Sequence, residues 1–556
     1  METRRMILWM IFSVSLFMLW DNYQRSVGNP TLFGLATGTS QTPPASTKPL
    51  VQNNDLPAAA SAMPTAPGSD ASPKQDLSAM STERFEVSTD VLRVQIDTLG
   101  GQITQVELLN HPAVDNANQP IKLLESGKAR TYVAQAGLVG APGAPNHKTP
   151  YRLLSQQKAL KDGETQLEIV LQSETAGLKS DLKYTFNRSR YDIEVMQKVI
   201  NVGETPLTPS VYVQLTRDDT APEGESKFYS TFTGPAVFSD EGKYQKIDFS
   251  SIAKNSATFV KTADNGWLAM VQHYFVSAII PSDKVTRENY VRKLDGNLYS
   301  IGYVSSLGTL NAGESSQRNT VLYVGPQSQR VLEQMAPGLE LVRDYGWLTI
   351  IAKPLFWLLE NLFALVNNWG WAIVLLTVVV KLLFFPLSAA SYKSMAKMRT
   401  LTPRLTRLRE QYGDDKARLN QAMMELYKTE KINPIGGCLP VVIQIPVFLA
   451  LYWVLLASVE MRNAPWLGWI HDLATPDPYF ILPVIMAVSM FVQTKLNPTP
   501  PDPVQAKVML FMPIIFSVMF LFFPSGLVLY WVVNNILSIT QQWYITRAFD
   551  TAGGKA

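Results

Sequence analysis

One lysine in this chain stands where a charge is costly. Lys381 lies in the run from Trp371 to Pro386, and its immediate neighbours on both sides are apolar. Counted along a helix from Trp369 it falls about 18 Å in, and a charge near the centre of a bilayer costs roughly 2.5–3.5 kcal/mol. Such a lysine either snorkels to head groups or faces a wet cavity. Thr377, four residues earlier and so on the same helix face, favours the cavity. Its chemistry would be electrostatic, holding an anionic group without making or breaking a bond. Other chemistries find little purchase. Cys438 is the one cysteine, which excludes an internal disulfide and a Cys-based metal site. His111, His147, His273 and His471 are scattered without ligand spacing. Ser394-Met-Ala-Lys397 fits an S-x-x-K pattern, but its partner motifs are missing and it lies in a basic segment. Neither enzyme activity, a metal nor a cofactor is expected.

Further polar groups interrupt the apolar stretches around Lys381. They are Gln444, then Gln493 and Thr494, then Asn534, Asn535, Ser538, Thr540 and Gln541. Singly, such residues are commonly interhelical hydrogen bonds. Gathered around one lysine they would line a hydrophilic groove of Lys381, Thr377, Gln444, Gln493, Asn534, Ser538 and Gln541. Pro386, Pro440, Pro446, Pro483, Pro513 and Pro524 loosen backbone pairing in the same stretches, which is tolerable where neighbours or water compensate.

The elements that must position these groups follow from the distribution of apolar residues. The 556 residues are 46% hydrophobic and 17% charged, the latter below the roughly 25% of a soluble domain. The net charge of +3 gives no reason to expect a specific nucleic-acid sequence as partner. Residues 1–21 hold a short apolar run, Met6 to Trp20, after Arg4 and Arg5. It reads either as a signal peptide or as an uncleaved transmembrane anchor; bulky Met18-Leu19-Trp20 at its end, without a small-residue cleavage site, favours the anchor. Residues 22–81, rich in Pro, Ala and Ser, cannot bury enough surface to offset ordering and read as a disordered tether. Residues 82–337 alternate at period two, as in Val91 to Ile96, Leu167 to Leu171 and Tyr191 to Val195. That pattern predicts a large antiparallel β-sandwich.

The last third reads as helices. Residues 338–368 mix tryptophans and leucines with Arg343, Asp344, Lys353 and Glu360, an interfacial amphipathic helix. Spans are expected near 369–388, 438–459, 479–496, 508–523 and 527–546, which with the anchor makes six transmembrane α-helices. Residues 391–431 form a helical hairpin whose seam is Met395, Met398, Leu405, Leu408, Tyr412, Leu419, Met423 and Leu426. Its basic residues include Lys393, Lys397, Arg399, Arg404, Arg407 and Arg409; they are either a solvated face or a contact for ribosome or lipid head groups. Between Ser391 and Lys431 there are ten Lys/Arg against five Asp/Glu, whereas Glu460 to Pro478 has Arg462 alone against Glu460, Asp472 and Asp477. The positive-inside rule then puts both termini, including the short tail 548–556, in the cytoplasm and residues from about 22 to 368 outside.

Several motifs carry a resemblance. Asn433-Pro-Ile-Gly-Gly-Cys438-Leu-Pro440, with Gln444-Ile-Pro446-Val-Phe448 and Leu451-Tyr452, resembles the third span of the YidC/Oxa/Alb family of membrane insertases. Phe523-Pro-Ser-Gly-Leu-Val-Leu-Tyr530-Trp531 resembles the family's last hairpin, and Ser394-Met-Ala-Lys-Met-Arg399 with Tyr427-Lys428 its cytoplasmic hairpin. The resemblance runs in order from about Asp344 to Arg547, and the layout before it is similar to that of Gram-negative members. It implies a bacterial inner-membrane chaperone whose insertase core, five spans within 369–547, holds a groove in the inner leaflet. It also implies nascent membrane proteins, the Sec translocon with its accessory subunits, and membrane lipids as partners. Phe448, Leu451, Phe516 and Phe520 would form a slide by which substrate leaves, and the β-sandwich would resemble sugar-binding supersandwich folds. The family's usual groove charge is arginine; Lys381 departs from it, and lysine, unlike arginine, is a base that burial can discharge. No long basic tail follows Arg547, so tail-mediated ribosome binding is not implied. A transporter or channel is the alternative, though no internal repeat pairs broken helices.

Overall fold

The computed structural model describes residues 55–58, 83–222 apart from 115, 117 and 128, then 231–412, 415–430, 439–496 and 503–553. The expected anchor at 1–21, most of the tether, the Asn433–Cys438 motif and the last three residues of the tail lie outside the described residues. The chain divides into two compact units whose boundary falls between Arg343 and Asp344.

The first unit is a large antiparallel β-sandwich. Among the described residues each of its two sheets has nine strands. One begins with the meander Arg84–Ser88, Leu92–Asp97 and Gln102–Pro112 and is centred on Thr131–Val139, Ser210–Asp218 and Leu298–Ser306. Arg287–Lys293 and Thr262–Ala263 complete that edge. The other sheet is centred on Phe275–Pro281, Ser315–Pro326 and Asp192–Asn201, flanked by Trp267–Gln272 and Leu178–Asn187. The alternation read from sequence is real burial: Leu92, Val94 and Ile96 point inward while Arg93 is exposed, and Leu167, Ile169 and Leu171 do the same around Glu168. Two polar pairs bridge the layers. Tyr303 and Thr320 hydroxyls meet at 2.5 Å, and the Tyr184 hydroxyl donates to the Gly101 carbonyl at 2.7 Å.

Helices α1 (Phe249–Ala253) and α2 (Gln329–Met335) are short. The second covers the outside of the sheet around Trp267, whose ring stacks on Phe238 at 5.7 Å and whose Nε1 donates to the Pro337 carbonyl at 3.2 Å. Leu332, Leu339 and Val342 close over it.

The second unit is helical. Two 3-10 turns, Leu339–Val342 (still on the sandwich side of the boundary) and Gly346–Leu348, precede α3 (Thr349–Val366). It ends at Asn367 in the left-handed conformation (φ 54°), and Asn368 caps α4 (Trp369–Leu383) by accepting from Trp371 N–H at 3.1 Å. Asparagine suits both places, since it tolerates positive φ and its side-chain oxygen satisfies an orphan helix N–H. Next come α5 (Phe385–Tyr412), α6 (Lys416–Thr429), α7 (Leu439–Ala457), α8 (Ile481–Leu496), α9 (Pro503–Phe520) and α10 (Ser525–Gly553). Helix α10 packs on α4, α5, α7 and α8; α3 packs on α4 and α7, and α9 on α8.

Two features differ from the sequence expectation. The stretch 369–388 is not one straight helix: α4 ends at Leu383, and the chain bends 66° into α5. Pro386 has no N–H to give the Leu382 carbonyl, so the ladder breaks there and restarts with proline in the first turn. In addition, among the described residues only α3 is long and apolar enough by itself to cross a membrane, with the bent α4–α5 pair passing together. The six-span count is thus not established by helix length and composition. Helix α8 has sixteen residues, about 24 Å against a core of about 30 Å. The polar residues of α10 dilute its hydropathy despite its length.

The Trp267 cluster sets one expectation. Trp267→Ala should destabilise the sandwich by about 3–5 kcal/mol, read as a lowered urea midpoint of its β circular-dichroism signal; an unchanged midpoint would refute this role.

Candidate functional site

Lys381 occupies the last turn of α4 and is 4% exposed. The helix end favours a cation there, because unsatisfied carbonyls leave it partly negative. Its Nζ donates to Ser538 Oγ at 2.7 Å, and Ser538 Oγ in turn donates to the Asn534 carbonyl at 2.7 Å. Tyr392, on α5, lies beside the same serine. Among the described residues no carboxylate pairs with Lys381. Three helices therefore converge on one hydroxyl, and the ammonium has donor capacity beyond the single bond it makes to that hydroxyl.

The other sequence-predicted groove residues distribute around this point. Thr377 is buried, with its hydroxyl donating to the Ile373 carbonyl at 2.7 Å. Asn534 is half-buried and contributes its carbonyl. Gln444, Gln493 and Gln541 are half-buried, and no hydrogen bond among the described residues joins them to Lys381. Gln541 Oε1 is buried without a hydrogen-bond partner. Nearby, Asn535 Nδ2 donates to Ser489 Oγ at 3.2 Å and Gln542 Nε2 to the Leu496 carbonyl at 3.2 Å, tying α10 to α8.

The four slide candidates separate. Phe516 is exposed, Phe448 is half-buried, and Leu451 and Phe520 are buried. Phe448 and Phe520 both meet the Trp531 ring, at 4.6 and 5.8 Å between centroids. Of the hairpin residues, Lys393, Lys397, Arg404 and Arg407 are exposed and Arg409 half-buried. Arg404 pairs with Glu430 at 2.6 Å; the Arg399 side chain lies outside the described residues. The hairpin core is Leu401 and Leu405 packed with Met398, Met423, Leu426 and Tyr427.

One end of the bundle is tightly closed. At the start of α10, Ser525 N–H and Gly526 N–H donate to the Thr475 and Leu473 carbonyls at 2.7 and 2.9 Å. At the start of α8, buried Asp477 accepts from Tyr479 and Leu482 N–H and from Trp469 Nε1, at 2.7 to 3.0 Å. At the start of α4, Asn368 Nδ2 donates to the Pro465 carbonyl, and Gly370 lies so close under Trp466 that a Cβ would come within 2.2 Å of its ring. The loop from 458 to 480 thus seals three helix starts. Lys381 and Ser538 lie about 18 and about 20 Å along their helices from this sealed end.

Sequence reasoning missed Tyr392, Ser489, Gln542 and the capping role of Asp477. Helical spacing from Lys381 could not find Tyr392, because the 66° bend intervenes. Asp477 carried a legible signal, an aspartate just ahead of an apolar run.

Residues 84–358 match the family model described as the YidC periplasmic domain, and residues 361–552 the one described as 60Kd inner membrane protein. A crystal structure of an active YidC insertase with its first transmembrane domain resolved aligns over 84% of this chain and 93% of that one, at 20% identity and a TM-score of 0.40. A protein of Bordetella petrii named Membrane protein insertase YidC is 54% identical over 555 residues, covering 98% of each chain. Proteins of the same name from Cupriavidus necator and Dechloromonas aromatica are each 53% identical, covering 98% and 100% of this chain and 98% and 99% of theirs. With relatives matched at this identity from end to end, the chain belongs to the YidC/Oxa/Alb family of membrane insertases.

Proposed function

We propose that this protein inserts newly made proteins into the bacterial inner membrane, and helps them fold and assemble, alone or beside the Sec translocon. The observation that carries the reading is a lysine ammonium buried midway along a bundle sealed at one end and, among the described residues, held by a single hydroxyl with no carboxylate paired to it. A cation so placed has attraction to spare for an acidic segment of an incoming chain. The relatives' shared name, membrane protein insertase, points the same way.

In this reading the sealed end faces the periplasm and the Lys381 end opens to cytoplasm and lipid. A substrate's polar tail must cross hydrocarbon; a wet groove shortens the dry path, and Lys381 holds the tail transiently. Gln541 Oε1 and Trp531 Nε1, buried without protein partners, are atoms that water satisfies. Short helices such as α8 thin the bilayer locally. Transfer of the substrate helix past the exposed apolar faces of α7 and α9 into lipid, about 0.8 kcal/mol per buried CH₂, then drives release. No covalent step, nucleotide or metal is needed. The topology proposed with it has six spans and both termini cytoplasmic, with residues from about 22 to 368 periplasmic and α3 in the membrane interface. The basic face of the α5–α6 hairpin would meet ribosome or lipid head groups. A transporter would use the same polar groups but leaves that hairpin idle.

Lys381→Ala should cut insertion of substrates with acidic tails about tenfold, the factor that goes with about 1.4 kcal/mol of lost attraction, while Lys381→Arg stays near the unaltered level. Protease protection of a small single-span substrate in proteoliposomes reads both; full insertion by the alanine variant would remove the charge from the mechanism. In a Cys438→Ser background, Ser538→Cys should react with a membrane-impermeant maleimide added from the cytoplasmic side. A position that stays unlabelled there, yet reacts after detergent is added, would mean the groove is dry.

A further inference from the structure

The outer face of the first sheet, turned away from the second, carries polar residues that sandwich packing does not call for. Gln214 and Tyr212 on Ser210–Asp218 are 0% exposed. Gln214 Nε2 donates to Gln135 Oε1 at 2.7 Å, and Tyr290 donates to Gln214 Oε1 at 2.8 Å. Two glycines make room: a Cβ at Gly137 would come within 2.7 Å of the Tyr212 hydroxyl, and one at Gly302 within 2.7 Å of the Tyr290 hydroxyl. Each tyrosine hydroxyl thus lies over a glycine of the neighbouring strand.

A short piece of the chain lies on this face. Arg292, stacked over the Tyr290 ring at 5.1 Å, donates from its two terminal nitrogens to the carbonyls of Asp55 and Leu56, at 2.5 and 2.7 Å. The Leu56 side chain packs with Val139, Tyr212 and Val304. The Asp55 carboxylate meets Lys148 Nζ at 2.5 Å and His147 Nε2 at 3.4 Å. Burial holds the His147 imidazole below its ordinary range, and its Nδ1 meets the Tyr212 hydroxyl at 2.5 Å. These contacts span 236 and 237 residues for Arg292 and 92 for His147.

We infer that this face is a binding site for an extended peptide carrying an acidic residue followed by leucine, and that Asp55-Leu56-Pro57 occupies it in cis. The chemistry is that of peptide recognition. A guanidinium fork reads two successive backbone carbonyls, an apolar pocket takes the leucine, and a lysine–histidine pair takes the carboxylate. Gln214 orients the fork, with its Oε1 3.3 Å from the second Arg292 nitrogen. The occupant comes from the stretch 22–81, whose composition supplies little else to bury, and it excludes other peptides while it stays.

The test uses the full chain in detergent and a fluorescein-labelled peptide of residues 53–60, read by fluorescence anisotropy. Asp55→Lys with Leu56→Ser empties the face without touching a strand. The emptied chain should bind the peptide at least about tenfold more tightly than the unaltered chain, whose own segment competes at an effective concentration of about millimolar. The same peptide with its Asp replaced by Lys and its Leu by Ser should not bind. Equal titrations for the two proteins, or for the two peptides, would overturn the inference.

Discussion

A cation buried among helices must be stabilised by its surroundings, and the helical unit is arranged around that requirement. The Lys381 ammonium has a helix end, one serine hydroxyl and a neighbouring tyrosine about it and, among the described residues, no counter-charge. Had a glutamate stood at Ser538, the pair would have closed on itself, and a groove with a satisfied ion pair attracts little. In the proposed mechanism, leaving the partner neutral keeps the site able to act on an acidic guest, at the cost of burying a charge with modest compensation.

That choice propagates outward. A polar interior lowers the hydropathy of α10, so packing must hold a helix whose own composition suits hydrocarbon poorly. The loop from 458 to 480 supplies much of the fixation, with Asp477, Asn368 and the Ser525–Gly526 backbone bonding the helix starts at one end. Trp531 anchors the middle, between Phe448 and Phe520. The outside of the bundle is left to side chains such as Ile514, Ile515 and Val518, which are exposed and make no demands on specific geometry.

The β-sandwich meets the opposite problem. In water its outer faces need no special treatment, yet one of them carries a buried, mutually bonded set of glutamines and tyrosines. Each bond satisfies a group that would otherwise be costly to bury. Their arrangement fixes where Arg292 points. The two units thus share a physical device, a cation held by neutral polar groups and so available to carbonyls or carboxylates, built on unrelated folds.

Much of this was legible in residue order. Period-two alternation around Leu92–Ile96 and Leu167–Leu171 announced the sandwich, because a strand's side chains alternate faces whatever its partners. The apolar runs of the last third announced a helical unit, and Lys381 stood out because one charge in a long apolar run is costly in any arrangement. Motifs near Gln444 and Tyr530 carried the family resemblance. Which groups meet was decided by tertiary structure alone. Ser538 lies 157 residues from Lys381, and nothing local distinguishes it from Thr540, which turned outward. The break at Phe384 moved Tyr392 beside the same hydroxyl, where straight-helix spacing would have misplaced it. Leu451 and Phe520 turned inward while Phe516 stayed outside, since helix rotation follows from packing against neighbours and not from hydrophobicity, which is equal on both sides of an apolar helix. The seating of Asp55 and Leu56 is the extreme case: two residues in a composition that predicts no structure, placed by a surface whose hydrogen bonds reach 92 to 237 positions along the chain.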